Sequence, residues 1–541
     1  MPVSPIVCPA LRRTLAGLPA LPRAWIVPTM VAAMATLSMW PRIKPVTPDG
    51  VNYMAAGTNL LRHGRYETLE GTPEVLFPPG YPLLIGLADV VVHDPELAGR
   101  LVSAALSLAT VPLLYWAGGL AGGRVVAFWS ALLLAILPLR AMASVRVLSD
   151  STYLFAALCA AALWLLWRRA AAEGARGRAL LCATGSGLLL GGAYLTRPEG
   201  LLVGLTLLAA GLLLTSPIPR RIRLHGSIAT AVSLAAVMAP YMLFLHHQTG
   251  EWSISGKVAY NRAMAASMAV GDRWAVTSAP ELLPDETHTR PVVAYDRRPT
   301  AGQWAALAGR NAAQALGRIL ALYGLLVILA PRGLRAPAHQ LDPPRTDWLA
   351  AGAALVWPVG LVVLLITEDR LFLPLAPAVC LCTAAGLPSS RRPHRIAFAL
   401  GVIIYLFGLI VPDCKSHEAG AARLRPDRAF GRIIAASATT GPVVGASWEY
   451  AFFAGRPSLP VPNEPIQRIA RYCRNNGAHW LVVETSDRSY HQRLLDSLRS
   501  GPLPPGVKWI TGVRLDPTHE VHLYAVGKVG ESASRGSRVD G

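Results

Sequence analysis

Charge is scarce in this chain. Only 15% of its 541 residues are Asp, Glu, Lys or Arg, and 52% are hydrophobic. A soluble domain carries about 25% charged residues, so an ordinary soluble protein is excluded. Cysteines number only seven, too few and too scattered for a disulfide framework. Cys159, Cys182, Cys380 and Cys382 fall in apolar runs, and Cys8 lies near the N-terminus. Cys414 and Cys473 share one side and are free to pair. No Cys/His spacing matches a zinc site, and His246 and His247 lack an HxxxH or HExxH partner. Acids are the scarcer sign, 32 against 51 Lys and Arg, for a net charge of +19. No soluble basic surface with stacking aromatics accompanies that charge, so no nucleic-acid partner is expected.

What the chain does have is long uncharged blocks. A bilayer core takes roughly 17 to 25 apolar residues as a helix. About eleven blocks approach that length: 24–40, 96–116, 125–139, 151–167, 179–195, 200–215, 227–245, 314–330, 348–366, 371–388 and 395–412. The expected fold is an α-helical polytopic membrane domain over 24–412, after a cytoplasmic N-terminus at 1–23. The first block is followed by MW-PRIKP rather than a small-residue cleavage site, so it reads as a span.

Arginines set the orientation. Arg12, Arg13 and Arg23, then Arg124, Arg168, Arg169, Arg176 and Arg178, then Arg220, Arg221 and Arg223, and finally Arg332, Arg335, Arg345, Arg391, Arg392 and Arg395 fall in alternate connections. The positive-inside rule makes those cytoplasmic and the membrane the cell's inner one. Basic loops against anionic lipid account for much of the net charge. The acids Asp49, Asp150, Glu199 and Glu368-Asp369 all then fall outside. The middles of the spans carry no ionisable group, whereas coupled transport usually leaves some there. A transporter or flippase, and a non-catalytic scaffold, are the alternatives to a surface enzyme.

Two outer loops are long, 41–95 and 246–313, and loops of that length are often functional. In the first, NYMAAGTNLLRHG spaces Tyr53, Ala56 and Leu60 as a surface helix, and LFPPGYPLL turns the chain back. The second carries a turn at LLPDETHTRP and a helix at 300–313, and suits either a lid or a solvated connector. From 413 to 528 strands and helices alternate as in a small extracytoplasmic α/β domain. PVVGAS, HWLVVETS, VKWITGVR and VHLYAV read as strands; PIQRIARYCRNNG and SYHQRLLDSLRSG read as helices. The tail at 529–541 is polar and expected to be disordered.

Asp49 sits a short way past the first block. It fits a helix N-cap in PDGVNYMAAG and equally a surface carboxylate for chemistry. Asp150, in SDSTYLF, carries the same two readings. Arg197 and Arg370 stand at span ends, suited to snorkelling or to gripping phosphate. Arg62 is a further phosphate candidate. Glu199 and Glu368-Asp369 adjoin those arginines and can support them.

The order of these motifs resembles the GT-C superfamily of membrane glycosyltransferases, near the protein O-mannosyltransferase and aminoarabinose transferase branch. The likeness rests on Asp49 after the first span, Tyr53 four residues on, FPPGYPL, VRVLSDSTYLF, YLTRPEGLL, RLFLPLAPAV, WEYAFFAGR and WLVVE. It implies a sugar moved from a polyprenyl-phosphate donor to an acceptor hydroxyl at the outer face, with inversion. Asp49 would be the general base, Asp150 a second acid, and Arg197, Arg370 and Arg62 phosphate ligands. Tyr53, Glu199, Glu368 and Asp369 would support them. A phosphate leaves readily, so one base suffices where a glycosidase needs two carboxylates. Oxygen-rich carboxylate clusters accept hard cations, but the resemblance implies no cofactor or metal. The chain departs from the pattern at Asp49-Gly50, where those relatives carry a second acid. Sugar, carrier length and acceptor (glycan, lipid or protein) stay open.

Overall fold

The computed structural model describes residues 23–42, 45–214, 218–271, 280–290, 298–334, 344–387, 425–445, 447–485, 491–516 and 519–527. The membrane domain runs α1 (Ile26–Met39), α2 (Pro48–His63), α3 (Gly80–Val92), α4 (Pro95–Ile136), α5 (Pro138–Ser144), α6 (Asp150–Ala172), α7 (Arg176–Thr196), α8 (Glu199–Leu213) and α9 (Arg220–Thr249). It continues with α10 (Gly256–Ala269), the hairpin β1 (Glu281–Leu282) and β2 (Thr289–Arg290), α11 (Ala301–Tyr323), α12 (Leu325–Leu334), α13 (Arg345–Leu365) and α14 (Ala376–Ala385).

Among the described residues five helices are long and apolar enough to cross a membrane, or six if the bent pair 301–323 and 326–334 is one span. The chain is therefore multi-pass, and among the described residues fewer helices than apolar blocks reach full spanning length. The reasons are local. The block 24–40 yields only 14 α-helical residues and 200–215 only 15. Pro138 starts a new helix inside 125–139. The block 314–330 turns by 91° after Tyr323. The stretch 371–388 opens as a 3-10 turn at Asp369–Leu375, leaving ten residues in α14. The block 395–412 lies outside the described residues, as does Cys414. The blocks 96–116 and 125–139 form the single 42-residue α4, broken at Gly122 and Gly123. Gly123 has φ +74°, a conformation that costs glycine nothing. A Cβ on Gly118 would come within 2.9 Å of Ala127 Cα, so the two halves fold back on each other.

Two local expectations need correction. The segment at Tyr53–Leu60 is not an open surface helix: Gly50 to Gly57 are buried in unbroken succession, and Thr58 to Leu60 are partly covered. The loop 41–95 also contains α3, whose small and apolar residues pack with Val51, Tyr53 and Met54 around Phe77 and Tyr81.

The C-terminal domain comprises α15 (Pro426–Ala435), β3 (Val443–Gly445), α16 (Trp448–Phe453), β4 (Ser458–Pro460), α17 (Ile466–Asn475), β5 (Trp480–Glu484), α18 (Gln492–Ser500), β6 (Val507–Asp516) and β7 (His519–Val526). The expected strands and helices are there; α15, α16 and the short β4 are additional. The sheet order is β4-β3-β5-β7-β6, with β3 parallel to both neighbours and β7 antiparallel to both of its own. Cys473 is a buried free thiol in this domain.

This domain rests on the membrane domain beside α2. Trp448, Phe452 and Phe453 pack against the cluster holding Val51 and Tyr53. Glu96, 4% exposed at the head of α4, accepts from Arg425 and Arg428 of the α/β domain and from Arg100. Arg100 in turn donates to the Val145 carbonyl at 2.5 Å, in the connection that leads to Asp150. Glu286 of the β1–β2 hairpin accepts from Arg468 and Arg471.

Candidate active site

Asp49 lies in the first turn of α2, but it does not cap it. Thr47 is the N-cap and its Oγ1 accepts from Gly50 N at 3.3 Å. That leaves the Asp49 carboxylate for other contacts. Arg370 Nη2 donates to its Oδ2 at 3.0 Å, and Lys257 Nζ stands 4.0 Å from the same oxygen. Oδ1 accepts nothing among the described residues.

The other predicted residues arrive from the ends of separate helices. Asp150 opens α6 and ion-pairs with Arg197, which follows α7. Glu199 lies 3.6 Å from Arg197 Nε. Glu368 holds Arg370 Nε at 2.6 Å, as adjacency in sequence suggests. Asp369 does not support Arg370; it pairs with Arg318 of α11. Tyr53 is buried, its hydroxyl 3.3 Å from Ser149 Oγ, which ties α2 to the start of α6. Arg62 is not brought to the site. It lies thirteen residues along α2 from Asp49, about 20 Å at 1.5 Å per residue, and pairs with Asp89 at 2.7 Å.

These groups enclose a cavity of about 180 Å³ lined by Asp49, Tyr53, Arg197, Glu199, Lys257 and Arg370, among others. Burial pushes the Asp49 carboxyl up, but Lys257 and Arg370 outweigh it and the net direction is down. Burial lowers Lys257, with Asp49 opposing. Arg370 is raised: burial works against its charge, but Asp150, Asp49 and Glu368 together win. The Tyr53 phenol is raised by burial and by Asp49, so it is a neutral hydrogen-bonding group.

Lys257 escaped sequence reading. It sits in α10, where Ser255 caps the helix by accepting from Lys257 N at 3.2 Å. The SISGKVAYNRAM run carries a cap signal, but nothing in it says which loop residue turns inward. Tyr260, Asn261 and Met264 of the same helix also line the cavity. Gly50 explains the missing second acid: a Cβ there would meet Val46 Cγ1 at 2.5 Å and the Val147 carbonyl at 2.9 Å. An acidic side chain has no room in this packing. Among the described residues no group of three His, Cys, Asp or Glu is arranged to hold a metal.

The family model for dolichyl-phosphate-mannose-protein mannosyltransferase matches residues 77–244. The match takes in Asp150, Arg197 and Glu199 and stops short of Asp49 and Arg370. Among solved structures, the oligosaccharyltransferase AglB of Archaeoglobus fulgidus, in complex with an inhibitory peptide and a dolichol-phosphate, is similar at 11% identity. Its TM-score is 0.55, covering 85% of this chain and 69% of that one. ArnT of Cupriavidus metallidurans, bound to undecaprenyl phosphate, is similar at 15% identity and TM-score 0.55, covering 93% and 98%. The fold is GT-C. The GT-C resemblance read from the motifs thus holds, and the small sheet after the helices belongs to it. No curated protein matches the chain in sequence. In this fold the cavity lies where the ends of α6, α7 and α13 meet α2 and α10. At the opposite ends of those helices Arg168 and Asp347 form a fully buried ion pair.

Proposed function

We propose that the chain is an inverting glycosyltransferase that moves a sugar from a polyprenyl-phosphate donor to an acceptor hydroxyl, with Asp49 as the general base. The observation that carries this reading is the state of the Asp49 carboxylate. One oxygen is anchored by Arg370 and approached by Lys257, and the other is uncommitted among the described residues in the cavity wall. A base held this way keeps its orientation and its charge.

In the reaction the acceptor oxygen attacks the anomeric carbon and its proton passes to Asp49. The bond from that carbon to the donor phosphate oxygen breaks, and the phosphate keeps the electron pair. Arginine and lysine around the cavity stabilise the growing negative charge. Asp150 serves as the anchor of Arg197 rather than as a second base, because its carboxylate is already ion-paired. The similar fold of proteins solved with dolichol-phosphate and undecaprenyl phosphate favours a lipid-borne donor. The arginine-rich connections support an outer-face site, a cytoplasmic N-terminus and a span count near eleven.

The test is Asp49→Asn, expressed in cells that lack the native chain. Transfer should fall by about 10²–10⁴-fold, with the lipid-linked sugar accumulating and the protein present at normal level. Full restoration of the glycan by the variant would remove Asp49 from the mechanism.

A further inference from the structure

The turn 145–149 joins α5 to α6 and belongs to neither. All its residues but Arg146 are buried, so its polar backbone needs partners. Side chains supply them. Arg100 Nη1 donates to the Val145 carbonyl at 2.5 Å and Ser103 Oγ to the Leu148 carbonyl at 3.3 Å. The Tyr53 hydroxyl is 3.3 Å from Ser149 Oγ, and Ser149 lines the Asp49 cavity. The turn serves both halves of the candidate site. Gly50, next to Asp49, rests against it, since a Cβ there would come within 2.9 Å of the Val147 carbonyl. Asp150, the anchor of Arg197, follows it directly. A shift of this turn therefore disturbs Asp49 and Arg197 together.

Arg100 does not hold the turn unaided. Its Nε and Nη2 both bind Glu96 Oε1, at 3.0 and 2.6 Å, which leaves Nη1 for Val145. Glu96 is itself gripped from the α/β domain. Arg425 meets both its oxygens at 3.1 Å, a paired contact, and Arg428 reaches Oε2 at 2.7 Å. The charges of this cluster balance when the two domains meet. The head of α4 offers Asp94, Glu96 and Arg100, one acid in excess. The α/β side offers Arg425, Arg428 and Asp427, one arginine in excess. Removing arginines from a buried carboxylate is costly. Glu96, and Arg100 with it, must therefore readjust when the α/β side lets go.

We propose that the α/β domain sets the geometry of the Asp49 site through this relay. Arg425 and Arg428 fix Glu96, Glu96 fixes Arg100, and Arg100 fixes the 145–149 turn. All four are positioning residues, and none lines the Asp49 cavity. The effect on transfer rests on the role of Asp49 proposed above; the mechanical link does not. Coupling of this kind has to be measured at both ends.

Hydrogen–deuterium exchange on the purified full-length protein reads the turn. Glycan transfer in cells that lack the native chain reads the site. Arg425→Ala and Glu96→Gln should each speed exchange across 144–153 by about tenfold or more. Transfer should fall about tenfold to hundredfold, since misplacement by about 1 Å can cost that much. Arg425→Lys keeps the charge without the fork and should lie between wild type and Arg425→Ala. Combining Arg425→Ala with Glu96→Gln should loosen the turn no further than either alone, because both cut one relay. Glu286→Gln weakens the other clasp on the α/β domain and should leave 144–153 as in wild type. Melting temperature and exchange in β5 check that each variant is folded. If Arg425→Ala is not, Arg425→Lys carries the comparison. Unchanged exchange at the turn, or equal acceleration in Glu286→Gln, would overturn the relay and reduce the grip on Glu96 to docking. A looser turn with transfer intact would show that the site does not depend on it. Faster exchange alongside full transfer by Asp49→Asn would keep the mechanical link and sink the Asp49 reading.

Discussion

Arg370 and Asp49 are 321 positions apart in sequence and 3.0 Å apart in space. Arg370 reaches Asp49 with Nη2 while Glu368 holds its Nε. The guanidinium is thus fixed at one edge and presents the other to the Asp49 carboxylate. A lysine carries the charge but not the fork.

This arrangement predicts a specific pH response. As the proposed base, Asp49 would work deprotonated, so transfer should be lost as pH falls through its folded pKa. That pKa lies below the ordinary 3.8 because Lys257 and Arg370 overcome burial. Arg370→Ala removes one of the two cations, so the acid limb of the pH–rate profile should move to higher pH. The maximal rate should fall on the order of 10²-fold, as on loss of one oriented donor. An acid limb that stays in place would show that some other group titrates.

Gly50 yields an unusual expectation. Adding the second acid that the family resemblance leads one to expect, as Gly50→Glu, should not raise activity. The new Cβ would press on the Val147 carbonyl and Val46, pushing α2 from the turn before Asp150. Reduced melting temperature and reduced transfer are expected together. A variant with full stability and higher activity would refute the packing argument.

Two buried carboxyls outside the spans set a stability slope. Burial raises both Glu74 and Glu449 to about 7, from an ordinary 4.5. Between those values the folded chain holds protons that the unfolded chain releases, so stability falls as pH rises through that window. Glu74 also accepts from Leu76 and Phe77 N–H at 2.7 and 3.0 Å, contacts an amide oxygen can keep. Glu74→Gln should match wild type near pH 5, melt higher near pH 8 and show a shallower slope. Parallel melting curves for the two proteins would contradict this.

The buried pair at the opposite end behaves differently. Arg168 and Asp347 are at most 1% exposed and meet at 3.1 Å. Arg168→Met strands a buried carboxylate, costing about 3–5 kcal/mol. The double variant with Asp347→Leu should recover most of that loss. Thermal unfolding in detergent distinguishes the two, and equal loss in single and double variants would argue against a stranded charge.

Much of this molecule is legible in its sequence, for reasons that can be named. Asp49, Asp150, Arg197, Glu199 and Arg370 each stand beside a helix end, and helix ends on one face of a bundle converge. Glu368 was readable because its partner is two residues away. Asp369 was not: its partner, Arg318, is 51 positions distant, and adjacency misled. Arg62 shares a helix with Asp49, but residues thirteen apart sit at different depths and different angles. Lys257 looked like any loop cation, since only tertiary folding turns α10 inward. Several apolar blocks form helices shorter than their length suggests: Pro138 opens a new helix and Pro374 lies in the 3-10 turn, and the effect of such residues on continuity depends on neighbours.

The Glu96 carboxylate has a consequence for biosynthesis. It is made early, and the arginine that grips it, Arg425, is made 329 residues later. Until then a buried acid lacks two of its three arginines, and the aromatics of α16 have yet to cover the back of α2. The back of α2 is therefore covered last, although Asp49 emerges among the first. A nascent chain carries Asp49 long before it carries Arg370, or the α/β domain that packs against α2.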